Sequence, residues 1–185
     1  MPRVLSQAYF NRSTVHVARS LLGKYLVRSI DGRELAGKII EVEAYVGPKD
    51  KACHASKGRT ARTDVLFGQP GISYVYLIYG MYHCLNVVTE RVEFPAAVLI
   101  RAIEIDGELI DGPGRLCRAM QIDRSLNRLD MTNGERLWFE DRAVVVRRTD
   151  IGTFARIGVD YAGKWAEKPW RFRLNGAESK SRKRS

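Results

Sequence analysis

Residues 73–78, 82–89 and 96–105 form three successive runs of β-branched and aromatic residues, separated by breaks of only a few residues. Such runs suit a pleated, half-buried surface, and short connections join antiparallel neighbours, since parallel ones need a long crossover. The middle of the chain is therefore predicted to be antiparallel sheet, and the rest of the fold has to be built around it. Upstream, residues 24–29 and 34–45 flank Asp31-Gly32, a pair suited to the positive-φ positions of a type I′ turn, which predicts a further hairpin.

Helices are few. Residues 13–22 carry Val15, Ala18, Leu21 and Leu22 at helical spacing, with Ser13 or Thr14 as N-cap and Gly23 just past the end. After the punctuation of Asp111-Gly112-Pro113-Gly114, Leu116, Ala119 and Met120 share one face of a second short helix. Residues 53–70 are polar, basic and glycine-bearing and read as loop, and residues 136–174 return to strand-like patterning. A chain of 185 residues with 45% hydrophobic content supports one core. A single domain is expected over residues 1–174, with 175–185 (NGAESKSRKRS) as a basic, disordered tail.

The formal net charge of +10 favours a polyanionic partner. No stretch approaches the roughly 20 apolar residues that span a bilayer, so nucleic acid is preferred over a membrane; a basic surface that serves solubility alone is the competing explanation. MPRVLSQAYF lacks the apolar segment of a secretory signal, so a cytoplasmic, reducing setting is expected, with the three cysteines as free thiols. Cys53-His54 and His83-Cys84 place soft ligands side by side but without CxxC or HxxxH spacing, so no metal site is expected.

Three strand positions break the apolar pattern. In KIIEVEAY, alternation puts Ile40, Val42 and Ala44 on one face and Glu41, Glu43 and Tyr45 on the other. That is either a half-exposed strand showing its charges to water or a carboxylate held beside a stacking ring. In AVLIRAIEI, Arg101 is either an outward arginine or a guanidinium placed for a phosphate or for an acid such as Glu43. In YVYLIYGMYHCLN, Gly80 permits a tight turn that leaves Tyr79 and Met81 near a hairpin tip. The tip is either a buried sandwich corner or an aromatic wedge for insertion between bases.

IIEVEAY, CHASKGRTAR, YVYLIYGMYHCLN, VLIRAIE, GPGRLC and RIGVDYAGKWAEKPWRF, in this order from about Leu5 to Leu174, resemble the alkyladenine (3-methyladenine) DNA glycosylase family. The resemblance implies an α+β fold: a single compact domain with a curved antiparallel sheet, a protruding β-hairpin and several flanking helices. It implies a monofunctional hydrolase of base excision repair, without lyase activity. Such an enzyme cuts the N-glycosidic bond of an everted 3-methyladenine, 7-methylguanine, hypoxanthine or ethenoadenine and leaves an abasic site.

Residue by residue, the resemblance makes Glu43 the general base for water and sets Arg101 beside that water and the DNA backbone. Tyr45, His54 and Tyr76 become the sandwich around the base, and Asn86 the residue that disfavours the 2-amino group of guanine. Tyr79 fills the gap in the duplex, Met81 and Tyr82 touch the minor groove, and Arg59 and Arg62 are candidate phosphate contacts. The loop GRTARTD departs from the family's pattern at Ala61 and Thr63, where proline and asparagine are common. The implied partner is double-stranded DNA carrying a damaged purine, bound by a monomer without metal or organic cofactor. A nucleic-acid-binding module that has lost catalysis is the alternative supported by charge and exposed aromatics alone.

Overall fold

In the computed structural model, which describes residues 1–176, the expected sheet is present and extends well beyond its three central runs. The elements in chain order are β1 (Arg3–Val4), α1 (Gln7–Phe10), α2 (Thr14–Leu21), β2 (Tyr25–Ile30), β3 (Arg33–Tyr45), β4 (Ser73–Ile78), β5 (Tyr82–Val88) and β6 (Ala97–Ile105). They continue as β7 (Glu108–Asp111), α3 (Pro113–Ala119), β8 (Leu137–Asp141), β9 (Ile151–Phe154) and β10 (Arg171–Leu174). The sheet runs β1-β8-β2-β3-β6-β5-β4, with β7 added to β6, β10 to β3 and β9 to β10. Strand β3 changes neighbours along its length: residues 33–38 pair with β2 and residues 41–43 with β10, while β6 lies along its other edge. The sheet curls strongly into a half-barrel within one compact α+β domain. No helix among the described residues is long and apolar enough to cross a membrane. The expected disordered tail lies, from residue 177 onward, outside the described residues.

Local sequence accounts for most of these elements. Asp31 and Gly32 have φ of 48° and 76°, as the type I′ turn between β2 and β3 requires. Helix α2 spans the expected segment, but its cap comes from elsewhere. Ser13 makes no side-chain cap bond; Glu90 Oε1 accepts from the backbone N–H of Thr14 (2.8 Å) and from its hydroxyl (3.0 Å). Helix α3 starts earlier than the apolar pattern implied because Pro113 occupies its first turn, where a missing N–H costs nothing. A Cβ on Gly114 would come within 3.1 Å of Tyr82 Cβ, so a larger residue there would push the helix or Tyr82 a few tenths of an ångström apart.

Strand β3 corrects the expected faces. Ile39 pairs with Ile103, Glu41 with Ala102 and Val42 with Ile100, so Ile40 and Arg101 are extra residues in a bulged stretch. The bulge resets the pleat. Ile39, Val42 and Ala44 enter the main core, and Ile40, placed with Val42 and Ala44 by strict alternation, does not join that cluster. The main core gathers Phe10, Leu21, Leu26, Ile100, Leu116, Phe139 and Phe172. A second cluster packs Cys53, Ala55, Val65 and Leu66 of the loop against Tyr74, Val88 and Ala97, and a third joins Ala52 to Val159 and Ala162. Tyr45 packs against both of these smaller clusters, so the end of β3 sits where loop, sheet and the segment after β9 meet.

Candidate active site

Glu41 and Glu43 are both buried, which removes the half-exposed reading of their strand. Burying a carboxylate is costly unless donors surround it, and here they do. Glu41 receives Arg101 Nε (3.2 Å), Arg171 Nη1 (3.2 Å) and Arg173 Nη1, and Arg173 also reaches Asp111 (3.1 Å). Glu43 takes the Tyr45 hydroxyl on Oε2 (2.7 Å) and the Ile157 backbone N–H on Oε1 (2.8 Å), with Arg101 Nη1 at 3.5 Å from Oε1. Arg101 therefore bridges the two acids from the bulge that aims it inward.

In front of this charged layer opens a cavity of about 390 Å³, whose walls include Tyr45, His54, Tyr76, Asn86 and Arg101. Five of the sequence candidates are thus brought together, and Tyr79 reaches the same cavity from the hairpin. Glu43, at 0% exposure, lies one layer behind, screened by Tyr45, Arg101 and Ile157. Rings dominate the walls: His54 stands edge-on to Tyr76 (centroids 4.7 Å apart, 78° between planes), and Tyr76 leans on Tyr74 at 5.2 Å. Burial, and then the Glu43 charge, hold the Tyr45 phenol well above its ordinary pKa, so it stays a neutral donor. Burial pushes the Tyr76 phenol up as well. Burial, helped by the Arg62 charge, brings His54 down to about 4, so its ring is neutral at ordinary pH. Asn86 is buried and donates from Nδ2 to Tyr74 O (3.2 Å).

The hairpin tip is exposed and is not a buried sandwich corner. Tyr79 is 85%, Met81 65% and Tyr82 45% exposed, a contiguous apolar edge on a basic protein. The Met81 N–H closes on Ile78 O (3.2 Å) around Tyr79 (φ 52°) and Gly80 (φ 68°). Two positive φ values in a row define a type I′ turn, and it carries the tyrosine outward at its first central position.

The sequence profile of the family described as methylpurine-DNA glycosylase (MPG) matches residues 8–178. The chain belongs to the methylpurine-DNA glycosylase family. Its relatives include proteins provisionally named 3-methyladenine DNA glycosylase. That of Methanocella arvoryzae is 52% identical over 185 residues, covering 91% of each chain. One from Anaeromyxobacter dehalogenans is 50% identical over 96% of this chain and 86% of its own, and one from Clostridium perfringens 40% identical over 97% and 99%.

Two candidates of this glycosylase-family chain sit differently from the rest. Arg59 is held on the loop surface by Asp64 (3.1 Å) and Glu93 (2.8 Å) and lies over the Phe67 ring. Arg62, also exposed, reaches back over the aromatic wall, its Nε 3.3 Å from the Tyr74 hydroxyl and its guanidinium 5.0 Å from the Tyr76 ring centre. Among the described residues no group of three or more His, Cys, Asp and Glu side chains gathers as a metal site would.

Several site residues went unassigned in the sequence. Asp50 and Arg156 form a fully buried bidentate pair (2.6 and 2.9 Å). Arg156 also donates to Ala44 O and Trp165 O (each 2.9 Å), and its guanidinium lies 4.8 Å behind the Tyr45 ring. The pair pins the segment that delivers the Ile157 amide to Glu43 and brings Ile157 and Tyr161 to the cavity. A signal was present: an arginine directly before the apolar Ile157-Gly158-Val159 within RIGVDYAGKW is an unusual place for a charge.

Proposed function

We propose that this member of the family is a monofunctional glycosylase acting on duplex DNA. It hydrolyses the N-glycosidic bond of an everted alkylated or deaminated purine, among them 3-methyladenine, 7-methylguanine, hypoxanthine and ethenoadenine, and leaves an abasic site. The observation that carries this reading is the order of layers: an aromatic cavity, then Arg101 and Tyr45, then the buried Glu43 carboxylate.

Turning a nucleotide out of the stack costs about a few kcal/mol. Stacking on an aromatic surface returns about 1–3 kcal/mol per base, and the rings of Tyr45, His54 and Tyr76 supply such surfaces. Tyr79, exposed on its turn, fills the vacated step in the duplex, with Met81 and Tyr82 against the minor groove. A purine methylated at N3 or N7 is cationic, so it is attracted to the faces of neutral phenols and is already an activated leaving group. Asn86, held by its bond to the backbone of Tyr74, stands where it can oppose a 2-amino group.

As the bond to the base lengthens, the sugar gains oxocarbenium character. Glu43 is the anion that faces this charge through the thin wall of Tyr45 and Arg101, and a water admitted beside Arg101 meets Glu43 Oε1 as its general base. Water as nucleophile, with no lysine among the described residues that line the cavity, supports a monofunctional enzyme. The test is release of hypoxanthine from a duplex oligonucleotide by wild type and Glu43→Gln under single-turnover conditions. A loss of at least a hundredfold is expected, on the order of general-base contributions. Equal rates would refute the assignment, and trapping of a DNA adduct by borohydride would refute the absence of lyase chemistry.

A further inference from the structure

Tyr74 has no part in the chemistry above, yet its hydroxyl occupies a constrained position. The side chain is 3% exposed, and its oxygen meets two nitrogens: Arg62 Nε at 3.3 Å and His54 Nδ1 at 3.0 Å. Arginine can only donate, so Arg62 fills the acceptor side of the phenol oxygen. The phenolic proton then needs an acceptor, and among the described residues the one in reach is His54 Nδ1. The opposite arrangement, in which Nδ1–H donates to the phenol, would set two donors on one oxygen and leave a buried O–H unpaired, which is penalised. The network therefore fixes which ring nitrogen of His54 bears the proton.

We propose that Arg62 and Tyr74 are positioning residues that hold His54 as the Nε2–H tautomer, so that the cavity wall presents an N–H donor to an acceptor atom of the everted nucleotide. That a nucleotide fills the cavity rests on the glycosylase reading; the tautomer does not. His54 lines the cavity, and Nε2 has no hydrogen-bond partner among the described residues, so the donor is free for a ligand. The ring is also held in plane by its edge-on contact with Tyr76, over which the same Arg62 lies. A neutral ring, as burial enforces here, carries one proton to place. Arg62 thereby acts through Tyr74 on a group that touches substrate.

The tautomer is read by long-range proton–nitrogen correlation spectra of the full chain labelled with ¹⁵N, at neutral pH and without DNA. The chain has three histidines, and His54→Gln identifies the signal. Wild type should show His54 with Nδ1 bare and Nε2 protonated, and Tyr74→Phe a mixture of both tautomers in a protein whose spectrum stays dispersed. A wild-type ring protonated on Nδ1, or an unchanged tautomer in folded Tyr74→Phe, overturns the proposal. If Tyr74→Phe does not fold, Arg62→Met, which frees the phenol to turn, is read for the same mixture. Excision of hypoxanthine by Tyr74→Phe should fall roughly tenfold, the scale of one lost hydrogen bond to a ligand. Inhibition by free hypoxanthine weakens in parallel if the acceptor is on the base and not if it is a phosphate. Absence of excision by wild type would refute the glycosylase reading while leaving the spectra to decide the tautomer.

Discussion

Removing Asp50 should be among the most damaging single changes outside the cavity walls. The Asp50→Ala variant leaves Arg156, whose side chain is fully buried, without its carboxylate, and it also strips the acceptor from the backbone N–H groups of Val46 and Ala52. Breaking a buried pair from one side costs about 3–5 kcal/mol. Two carbonyls, Ala44 O and Trp165 O, still receive Arg156, which keeps the loss toward the lower part of that range, and the two orphaned amides push it up again. A net loss of about 4 kcal/mol results, a large share of the roughly 5–15 kcal/mol that holds a domain folded. For a chain of this size it corresponds to a fall in Tm of about 8–16 °C. Trp165 and Trp170, 6.0 Å apart and next to the pair, make tryptophan fluorescence the natural probe of urea unfolding. The double variant Asp50→Ala/Arg156→Met removes the stranded charge and should recover about 2 kcal/mol of the loss. A single-variant loss under about 1 kcal/mol, or a double variant no better than the single, would refute the claim that a buried ion pair anchors the segment that brings the Ile157 amide to Glu43.

The remaining predictions concern pH and the hairpin tip. His54 has a folded pKa of about 4 against an ordinary 6.5, so between these values the unfolded chain binds a proton that the folded one does not. Its contribution is complete above pH 6.5 and is lost as pH falls toward 4; Asp123 and Asp141, held below 3.8 by their hydrogen-bond partners, act at lower pH. Denaturant midpoints over pH 4–7 should therefore slope less in His54→Gln than in wild type, and parallel slopes would contradict the burial argument. Tyr79→Ser should leave stability within about 0.5 kcal/mol, as for an exposed position, while weakening capture of a lesion-bearing duplex about tenfold or more. A collapse in melting with normal lesion affinity would make Tyr79 a core residue despite its exposure.

The parts of this fold that were legible in the sequence are those set by neighbours in the chain. Asp31-Gly32 and Gly80 each favour a turn through their own tolerance of positive φ, and the β-branched runs that flank them follow. What alternation missed was set from far away. The cap on α2 comes from Glu90, 76 residues on from Thr14, and the bulge that aims Arg101 depends on the register between β3 and β6. Local pattern carries no information about either.

The same reasoning explains why the two acids of β3 looked ambiguous. A period-two strand with glutamates on one face reads as solvent-facing because the residues that neutralise them are invisible locally: Ile157 lies 114 residues from Glu43, Arg171 lies 130 from Glu41 and Arg173 lies 132. Among the described residues, Glu41, Glu43 and Asp50, with Asp111 at the exposed edge, are matched by Arg101, Arg156, Arg171 and Arg173, four charges against four. The layer behind the cavity is thus electrically balanced, and the +10 of the chain resides elsewhere on it. That division separates two tasks. Long-range attraction of a polyanion falls to the outer surface, where it is open to screening by salt, while Glu43 is held by short, buried, geometrically fixed partners that salt screens far less.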